Sequence, residues 1–414
     1  MKKLTALLMS FLLGLAVFAE DVSNSYDPYA GSDKETFALI QETRDAMKKG
    51  QFLTAFNKVK SEDEAYDNEY KLAMATEVAI KGFAQSIMHQ MFAFKDLENG
   101  ESLNQLRSGS GKSFDLILFD PVKTIENFVS AYGEKPILNY ALGLYYNDVG
   151  NRYRGNWILS DQEVREKADY YLTKAYEEGC YSGESASILA VFSIMKGNYS
   201  QAEKFLNIKK DSGRERDLDD NYYMGIIKYE LGNTKEALEY EEEAIKDFAE
   251  YPKYQLDAYE VCLKICYGTS DLKKAEKYVK RMKEAFPDSY RVPLNTLRIR
   301  LLQNKKSDAQ KAAMELYSLN PSEAAFLNEI VKEYKNLKQL ELLPPFFEEA
   351  AKTYRSNDSA LELIYYYYSF VEVMLGNYKE AQEKAELAEL YFNRTGHMTE
   401  EISEFLNSVK ANVK

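Results

Sequence analysis

Apolar residues recur at helical spacing along most of the chain, and the helical runs come in pairs joined by short turns. Three of these turns share one pattern, in the segments Met195–Ala202, Glu230–Ala237 and Met374–Ala381. Each segment ends one helical run, passes through Gly-Asn and reaches an alanine early in the next run. Because glycine readily takes the left-handed conformation that ends a helix, the pattern predicts helix–turn–helix units.

The spacing of these units is nearly constant. One small or apolar position in the second helix recurs at intervals of 34, 35, 38, 34, 34 and 38 residues. Its occupants are Ala168, Ala202, Ala237, Ala275, Ala309, Leu343 and Ala381. Proline follows twelve residues after Ala275 and after Ala309, where the second helix must end. A fixed period of this length is typical of a helical repeat protein.

The unit resembles that of the tetratricopeptide repeat (TPR) family, a helix–turn–helix of 34 residues. The small residue of that family's first helix is matched by Ala190 and Gly225, and later units replace it with larger or polar residues. The resemblance implies an all-α fold, a right-handed α-solenoid with an irregular N-terminal part.

The pattern divides the chain into five parts. They are a signal peptide at 1–19, a flexible lead-in at 20–34, irregular helical repeats at 35–136 with a loop at 97–119, a TPR-like solenoid at 137–392 and a capping helix at 393–414. The apolar run from Ala73 to Phe94 predicts one extended helix, which contains His89. The run 116–119 is either extended or a buried connector.

The first residues are typical of an export signal. Lys2 and Lys3 precede an apolar stretch from Leu4 to Phe18, and Ala19 provides the small residue that a signal peptidase requires. We expect cleavage after Ala19 and a periplasmic or secreted protein that is not transmembrane after cleavage. An uncleaved membrane anchor is the alternative, although the apolar stretch is short for one.

Composition argues against several kinds of chemistry. The 53 basic and 66 acidic residues give a formal charge of −13, which disfavours a nucleic-acid partner. With 2 histidines and 3 cysteines, the chain has few residues for a metal site or a nucleophile. Residues 109–113 are similar to a phosphate loop, but Leu106 stands where the motif needs glycine. We therefore expect no cofactor, no metal and no enzymatic activity.

A 13-residue insertion delays one second helix, and it carries a basic and aromatic cluster. Ser160 and Glu163 predict a capping box for the delayed helix. Within the segment 147–159, the cluster consists of Arg152, Tyr153, Arg154 and Trp157. Such residues are common at binding hot spots, so this cluster is a candidate partner-binding site. Alternatively, Trp157 folds back against the edge of the solenoid as a structural plug.

In the TPR family, the inner face of the first helix of each unit lines a concave groove that holds peptides. Carried over by register, this resemblance implies partner-binding positions on several first helices. They are Tyr222, Tyr229, Glu260, Lys264, Tyr267, Arg291, Arg298, Lys332, Tyr366 and Phe370.

The expected function is that of a non-enzymatic periplasmic scaffold whose partners are other proteins or peptides of the cell envelope. The sequence does not specify an oligomeric state. The alternative is a transporter-associated accessory protein that binds a small or apolar ligand. In that case, the run from Phe83 to Phe94 and the Trp157 insertion would form a cavity.

Overall fold

A computed structural model describes residues 26–61, 65–109 and 113–411. The predicted signal peptide and the first residues of the predicted lead-in lie outside this part of the chain. The structure divides into two compact units, Met1–Asn233 and Thr234–Lys414. Helices account for most of the described residues, so the prediction of an all-α helical repeat fold is confirmed.

The first unit contains ten helices and a small sheet among its described residues. The helices are α1 (Lys34–Lys48), α2 (Phe52–Val59), α3 (Glu69–Gly82), α4 (Leu103–Ser108), α5 (Pro121–Tyr132), α6 (Pro136–Arg152), α7 (Asp161–Glu177), α8 (Gly183–Met195), α9 (Tyr199–Asp211) and α10 (Asp220–Glu230). The strands are β1 (Phe83–Ile87), β2 (Met91–Phe94) and β3 (Ile117–Leu118). The sheet is antiparallel, in the order β1-β2-β3.

The second unit contains ten helices and one short 3₁₀ turn, Leu340–Leu342, among its described residues. The helices are α11 (Thr234–Asp247), α12 (Pro252–Gly268), α13 (Leu272–Ala285), α14 (Arg291–Leu302), α15 (Lys306–Tyr317), α16 (Ala324–Asn336), α17 (Pro344–Thr353), α18 (Asp358–Leu375), α19 (Tyr378–Thr395) and α20 (Glu400–Ala411). The last of these lies in the segment that the sequence assigns to a capping helix.

The turns between paired helices share one hydrogen bond. Gly197, Gly232 and Gly376 have φ between 74° and 85°, and the next residue donates its N–H to a carbonyl five residues earlier. For Asn198 and Ser193 the N···O distance is 2.8 Å. This is the Schellman arrangement, which satisfies the last carbonyls of the first helix. The Gly-Asn pattern therefore ends these helices in the way that the sequence predicts.

The periodic small positions form the core of each unit. Ala168 and Ala202 in the first unit are no more than 1% exposed, and Ala275 and Leu343 in the second are fully buried. Gly143, on α6, marks an especially close approach, because a Cβ built there would lie 2.4 Å from Cγ of Leu172 on α7. Small residues at this period let successive helices pack closely, which is why the spacing predicted the repeats.

The extended helix predicted from Ala73 to Phe94 is wrong. Helix α3 ends at Gly82, and β1 and β2 form a hairpin in place of its second half. The hairpin turns at Met88 and His89, whose φ angles are 52° and 54°, and Gln90 N–H donates to the Ile87 carbonyl at 3.0 Å. A two-residue turn with both φ angles positive matches the twist of an antiparallel hairpin. The predicted loop 97–119 likewise contains α4 and β3, so the segment 116–119 is extended.

The described end of the predicted lead-in is packed rather than flexible. Tyr29 is fully buried, and its hydroxyl donates to Glu77 Oε1 at 2.7 Å. Arg44 donates two hydrogen bonds to the Asp27 carboxylate, at 2.7 and 2.9 Å. An aromatic anchor and a two-pronged ion pair hold this segment on α1 and α3.

Among the described helices, none combines the length and the apolar character that crossing a membrane requires. The cysteines Cys180, Cys262 and Cys266 are buried and free. The predicted capping box also forms, since Ser160 N–H donates to Glu163 Oε2 at 2.8 Å and Glu163 N–H donates to Ser160 Oγ at 3.3 Å.

Candidate functional site

Polar side chains on the first helices of the second unit bond to one another from repeat to repeat. Arg291 donates to Asp257 at 2.8 Å, and Asn295 donates to Glu260 at 2.8 Å. Arg298 donates through Nε to Glu333 at 2.8 Å and through a second nitrogen to the other carboxylate oxygen. The partners are 34 or 35 residues apart, which is one repeat. We call these three pairs the inter-repeat ladder.

Three of the predicted groove residues belong to the inter-repeat ladder, and a fourth bonds to it. Glu260, Arg291 and Arg298 belong to its pairs, and Tyr267 donates its hydroxyl to Asn295 at 2.9 Å. Burial raises the pKa of Glu260, although Asn295 and the nearby arginines oppose that effect. These side chains are thus half-buried and bonded to their neighbours, and a ligand must compete with those bonds.

The remaining predicted groove residues have varied surroundings. Tyr366 and Phe370 on α18 are half-buried, and both rings approach Phe405 of the capping helix α20, at 5.0 and 6.1 Å between centroids. Lys332 is exposed and pairs with Glu329 one turn away at 3.4 Å. Lys264 on α12 is exposed, whereas Tyr222 and Tyr229 on α10 are half-buried.

His89 lies at the centre of an aromatic cluster in the first unit. The tip of the hairpin places the imidazole, which is fully buried, among five rings at centroid distances of 4.6 to 6.0 Å. The rings belong to Phe83, Phe92, Tyr145, Tyr153 and Trp157. We call this set the His89 cage. The sequence placed His89 in a helical core, and it brought the run from Phe83 to Phe94 together with Trp157 only as the walls of a possible ligand cavity.

The electrostatics of the His89 cage keep the imidazole neutral. Burial, together with the positive charges of Arg152 and Arg107, lowers the pKa of His89 to about 3. The nearest carboxylate oxygen belongs to Asp148, 3.5 Å from Nε2. Burial raises the pKa of Asp148, while its hydrogen bond from Arg152, at 2.6 Å, opposes that rise.

The four residues of the insertion cluster divide between two surroundings. Tyr153 and Trp157 pack in the His89 cage, and Tyr153 Oη lies 2.6 Å from Ser86 Oγ on β1. Arg152 lies over the Phe83 ring at 5.1 Å. Arg154 is exposed and extends to the other side, where it lines a cavity. Tyr153 and Trp157 thus pack against the hairpin, and Arg154 faces solvent at a concave surface.

That cavity, of about 510 Å³, lies on the predicted groove face of the first unit. Ser187, one repeat before the predicted groove position Tyr222, lines it together with Val191 and Asp219. Its other walls combine apolar and charged groups. They include Ile188, Phe192, Met195, Arg154, Asp161 and Arg165. We call it the Arg165 cavity.

Arg165 differs from Arg154, the other arginine of this cavity, in its ionic contacts. It is exposed, and within the described part of the chain no carboxylate lies within ion-pair distance of its guanidinium. Arg154, by contrast, lies 3.6 Å from Asp161. Met195 is 56% exposed at the edge of the same cavity. A guanidinium group without an ionic partner, beside apolar walls, can donate hydrogen bonds to a carboxylate or carbonyl of an amphipathic ligand.

A second cavity of this unit, of about 450 Å³, contains a network of charges that are already paired. Lys81 donates to Glu77 at 3.0 Å and to Glu184 at 2.6 Å. Burial alone would raise the pKa of Glu77, but Lys81 and the Tyr29 hydroxyl hold it below its ordinary value. Such a network links α3 to α8, and its charges are largely satisfied without a ligand.

No family model and no curated protein matches the sequence. The structure, however, resembles known folds. Solved TPR proteins are among its structural neighbours. One comes from Parabacteroides merdae, at 14% identity and a TM-score of 0.40, with 66% of this chain and 99% of that chain covered. Another is the C-terminal part of a TPR protein from Cytophaga hutchinsonii, at 12% identity and a TM-score of 0.40. That match covers 63% of this chain and 98% of the other.

Yeast Tom70 matches over more of the chain. It is 14% identical, with a TM-score of 0.35, and the match covers 91% of this chain and 82% of that one. The likeness to these three proteins is one of fold.

Proposed function

We propose that the protein is a non-enzymatic scaffold, exported to the periplasm, that binds polypeptides on the groove face of its repeats. The observation that carries this proposal is the Arg165 cavity. It lies where the repeat register places a groove, and it combines an apolar wall with an unpaired guanidinium.

The chemistry of the cavity suits a polypeptide segment. Ile188, Val191 and Phe192 offer an apolar surface for a side chain, while Arg165 and Arg154 offer donors for a carboxylate or a backbone carbonyl. A volume of about 510 Å³ accommodates a few residues, so specificity would come from a short segment. Apolar anchors with nearby arginine donors are typical of interaction hot spots.

The second unit would contribute differently. Its predicted groove residues in the inter-repeat ladder already form hydrogen bonds with side chains of the neighbouring repeat. A partner that replaced these bonds with similar ones would gain little binding free energy. Lys264 and Lys332, on first helices of the same unit, have exposed side chains. We therefore assign anchoring to the first unit and weaker, charge-guided contacts to the second.

The alternative function, an accessory protein for a small or apolar ligand, depended on a cavity between the Phe83–Phe94 run and Trp157. In the structure, the imidazole of His89 fills that space with five aromatic rings around it. The apolar ligand would have to displace a fully buried side chain. The ligand-binding alternative therefore loses its predicted site.

Site-specific photocrosslinking in intact cells tests the proposed function. A photoreactive phenylalanine analogue replaces Met195 at the edge of the Arg165 cavity, and a control replaces Lys210, an exposed residue of α9 outside that cavity. We expect a discrete adduct with a polypeptide from position 195 that is missing from position 210. Peptide mass spectrometry then identifies the partner.

The purified partner allows a quantitative check. Arg165→Glu should weaken its binding about tenfold or more, whereas Lys210→Glu, the same charge change elsewhere in the first unit, should leave binding within about twofold. Equal adducts from both positions, or equal affinities of both charge variants, would count against the groove face as the binding surface.

A further inference from the structure

The tip of the hairpin formed by β1 and β2, residues 87–90, has one buried side chain. Ile87, Met88 and Gln90 are exposed, whereas His89 between them is fully buried. Met88 and His89 both have positive φ angles, and each carries a Cβ, so the turn is strained. The packing of the imidazole in the His89 cage offsets that strain. The tip would therefore open if the imidazole left the cage.

The imidazole has no hydrogen-bond partner in the His89 cage. Neither Nδ1 nor Nε2 of His89 has one among the described residues, and the surrounding side chains are mostly aromatic. A neutral imidazole tolerates such surroundings, because it also packs as an apolar ring. A protonated imidazole would be an almost unsolvated charge there, whereas water would supply partners for both of its N–H groups. Protonation is therefore far more favourable when the imidazole is exposed.

The cations beside the cage act against a proton on the imidazole. Arg107 on α4 and Arg152 on α6 lie over the Phe83 ring, with guanidinium carbons 4.0 and 5.1 Å from its centroid. Arg107 donates to the Phe83 carbonyl at 2.9 Å, and no carboxylate of the described residues lies within ion-pair distance of it. Residues 110–112, which follow α4 outside the described part of the chain, include no acidic residue. Both positive charges oppose protonation of His89.

Asp148, also on α6, is the carboxylate nearest to the imidazole. Its Oδ2 lies 3.5 Å from Nε2, which is longer than an ordinary hydrogen bond, and its Oδ1 accepts from Arg152 at 2.6 Å. Burial raises the pKa of Asp148 in spite of Arg152, and the charge of Glu184 on α8 contributes to the rise. The phenols of Tyr145 and Tyr153 also contact the imidazole, and burial raises the pKa of Tyr145. Asp148 can therefore compensate an imidazolium charge only in part.

We propose that the hairpin tip is an acid-sensitive latch, which opens when His89 takes up a proton and leaves the cage. In the closed state the imidazole has a pKa of about 3, whereas an exposed imidazole takes up its proton at about pH 6.5. Because the open state binds the proton more tightly, closure is at full strength above pH 6.5 and weakens as the pH falls from there towards 3. The equilibrium constant for opening should rise by up to about tenfold per pH unit in this window. The latch does not involve the groove face, so it does not depend on the proposed function.

Hydrogen–deuterium exchange of the full chain between pH 7.5 and 5, corrected for intrinsic exchange rates, tests the latch. The Gln90 N–H, which donates to the Ile87 carbonyl across the turn, reports opening together with the other amides of β1 and β2. Their protection should fall about thirtyfold over this range, whereas that of α7, in the same unit, should change much less. The range stops at pH 5 to limit the opposing effect of Asp148, whose raised pKa favours the closed state in stronger acid.

Two results would overturn the latch. Constant protection of the hairpin would show that it does not open with acid. An equal fall in α7 would show that the whole unit loosens, rather than the tip. Crosslinking from position 195 needs no opening of the tip, so either result leaves the groove proposal standing.

Variants of the two histidines assign the pH dependence. His89→Asn removes the titrating group and suits the positive φ of the turn, so the fall in protection should disappear. His397→Asn changes the other histidine of the chain, which is exposed, and should leave the fall unchanged. His89→Phe keeps a ring in the cage and gives the same test if asparagine destabilises the first unit. A fall that persists in a folded His89 variant would belong to other groups and would overturn the latch.

Discussion

His89 in the first unit and Glu241 in the second are ionisable side chains that are fully buried, and neither has a hydrogen-bond partner among the described residues. Burial raises the pKa of Glu241 to about 9 and lowers that of His89 to about 3. Each group is therefore neutral in the folded protein near pH 7. Neutrality avoids the large cost of an unpaired charge in the protein interior.

The raised pKa of Glu241 predicts a stability that falls as the pH rises. The folded state keeps the proton up to about pH 9, whereas the unfolded chain releases it near the ordinary value of about 4.3. The contribution of Glu241 is thus fully present below that value and is lost as the pH rises towards 9, by up to about 1.4 kcal/mol per pH unit. Denaturant unfolding between pH 5 and 9 measures this slope.

The variant Glu241→Gln removes the titrating proton and should flatten this slope. Glu239→Gln provides a matched control, because residue 239 is an exposed carboxylate on the same helix, α11. The control should unfold with the same pH dependence as the parent chain. A slope that survives in Glu241→Gln would show that other groups cause it.

Some of the side-chain contacts could be predicted from the sequence, and others could not. The ladder partners are visible in the sequence, because opposite charges such as Asp257 and Arg291 stand one repeat apart. The contact between His89 and Trp157 has no such signal. It joins a hairpin tip to an insertion, and neither segment follows the period.

At the scale of elements, the turns between paired helices are alike although their residues differ. Ser270, Asn304 and Lys338 occupy the position that glycine holds in other turns, with φ between 54° and 58°. Each is followed by the same hydrogen bond, for example Asp271 N–H to the Cys266 carbonyl at 2.9 Å. This left-handed conformation destabilises a residue with a Cβ by about 1–2 kcal/mol, and among such residues asparagine tolerates it best.

Glycine at these turns should therefore stabilise the second unit. Ser270→Gly and Lys338→Gly should each raise the free energy of unfolding by about 0.5–1 kcal/mol, after the entropy that glycine adds to the unfolded chain. Asn304→Gly should give a smaller gain. Chemical denaturation measures all three, and equal or negative changes at Ser270 and Lys338 would contradict the strain argument.

The close approach of α6 and α7 predicts a loss of stability when a glycine is replaced. Gly143→Ala should destabilise the first unit by about 1–3 kcal/mol, because its Cβ would overlap the Leu172 side chain. Gly150→Ala, on the same helix, meets only Val164 Cγ1 at 3.3 Å and should change stability by less than about 1 kcal/mol. Leu172→Ala should relieve the side-chain part of this overlap but not the part with the Leu172 backbone nitrogen, which would lie 2.9 Å from the added Cβ. Gly143→Ala should therefore cost less stability in a Leu172→Ala background than in the parent chain, without becoming neutral.

The element that sequence reasoning missed is the hairpin of β1 and β2. A two-residue hairpin turn usually contains Asn-Gly, and Met88-His89 gives no such signal. The apolar residues of the run 73–94 also fit a helix, because a short buried strand and a buried helix segment look alike in a sequence. The surrounding rings of the His89 cage stabilise the turn, and they are distant in sequence.

At the scale of the whole chain, the repeat architecture was predictable because it depends on a simple rule. A small residue once per repeat suffices for close helix packing, so the positions 168 to 381 reveal it without reference to any contact. The first 136 residues do not follow that period, and most differences between expectation and structure lie there.

The proposed export gives a prediction for the N-terminus of the protein. If the signal is cleaved after Ala19, the periplasmic protein begins at Glu20, and intact mass spectrometry of the fractionated protein will show that N-terminus. Ala19→Arg should block cleavage and keep the protein in the membrane fraction. A conservative change, Ala19→Gly, should be processed normally. Full-length parent protein in the soluble fraction would contradict this prediction.

The inter-repeat ladder also has a consequence for folding. The buried alanine and leucine positions of successive repeats are so alike that apolar packing alone would let a repeat stack on a neighbour from the wrong place in the chain. The ladder partners are unlike from one repeat to the next: aspartate meets arginine, glutamate meets asparagine, and arginine meets glutamate. An incorrect stack would leave the buried carboxylate of Glu333 without Arg298, which destabilises that stack. The polar pairs therefore encode the order of the repeats and discourage misassembly while the chain folds.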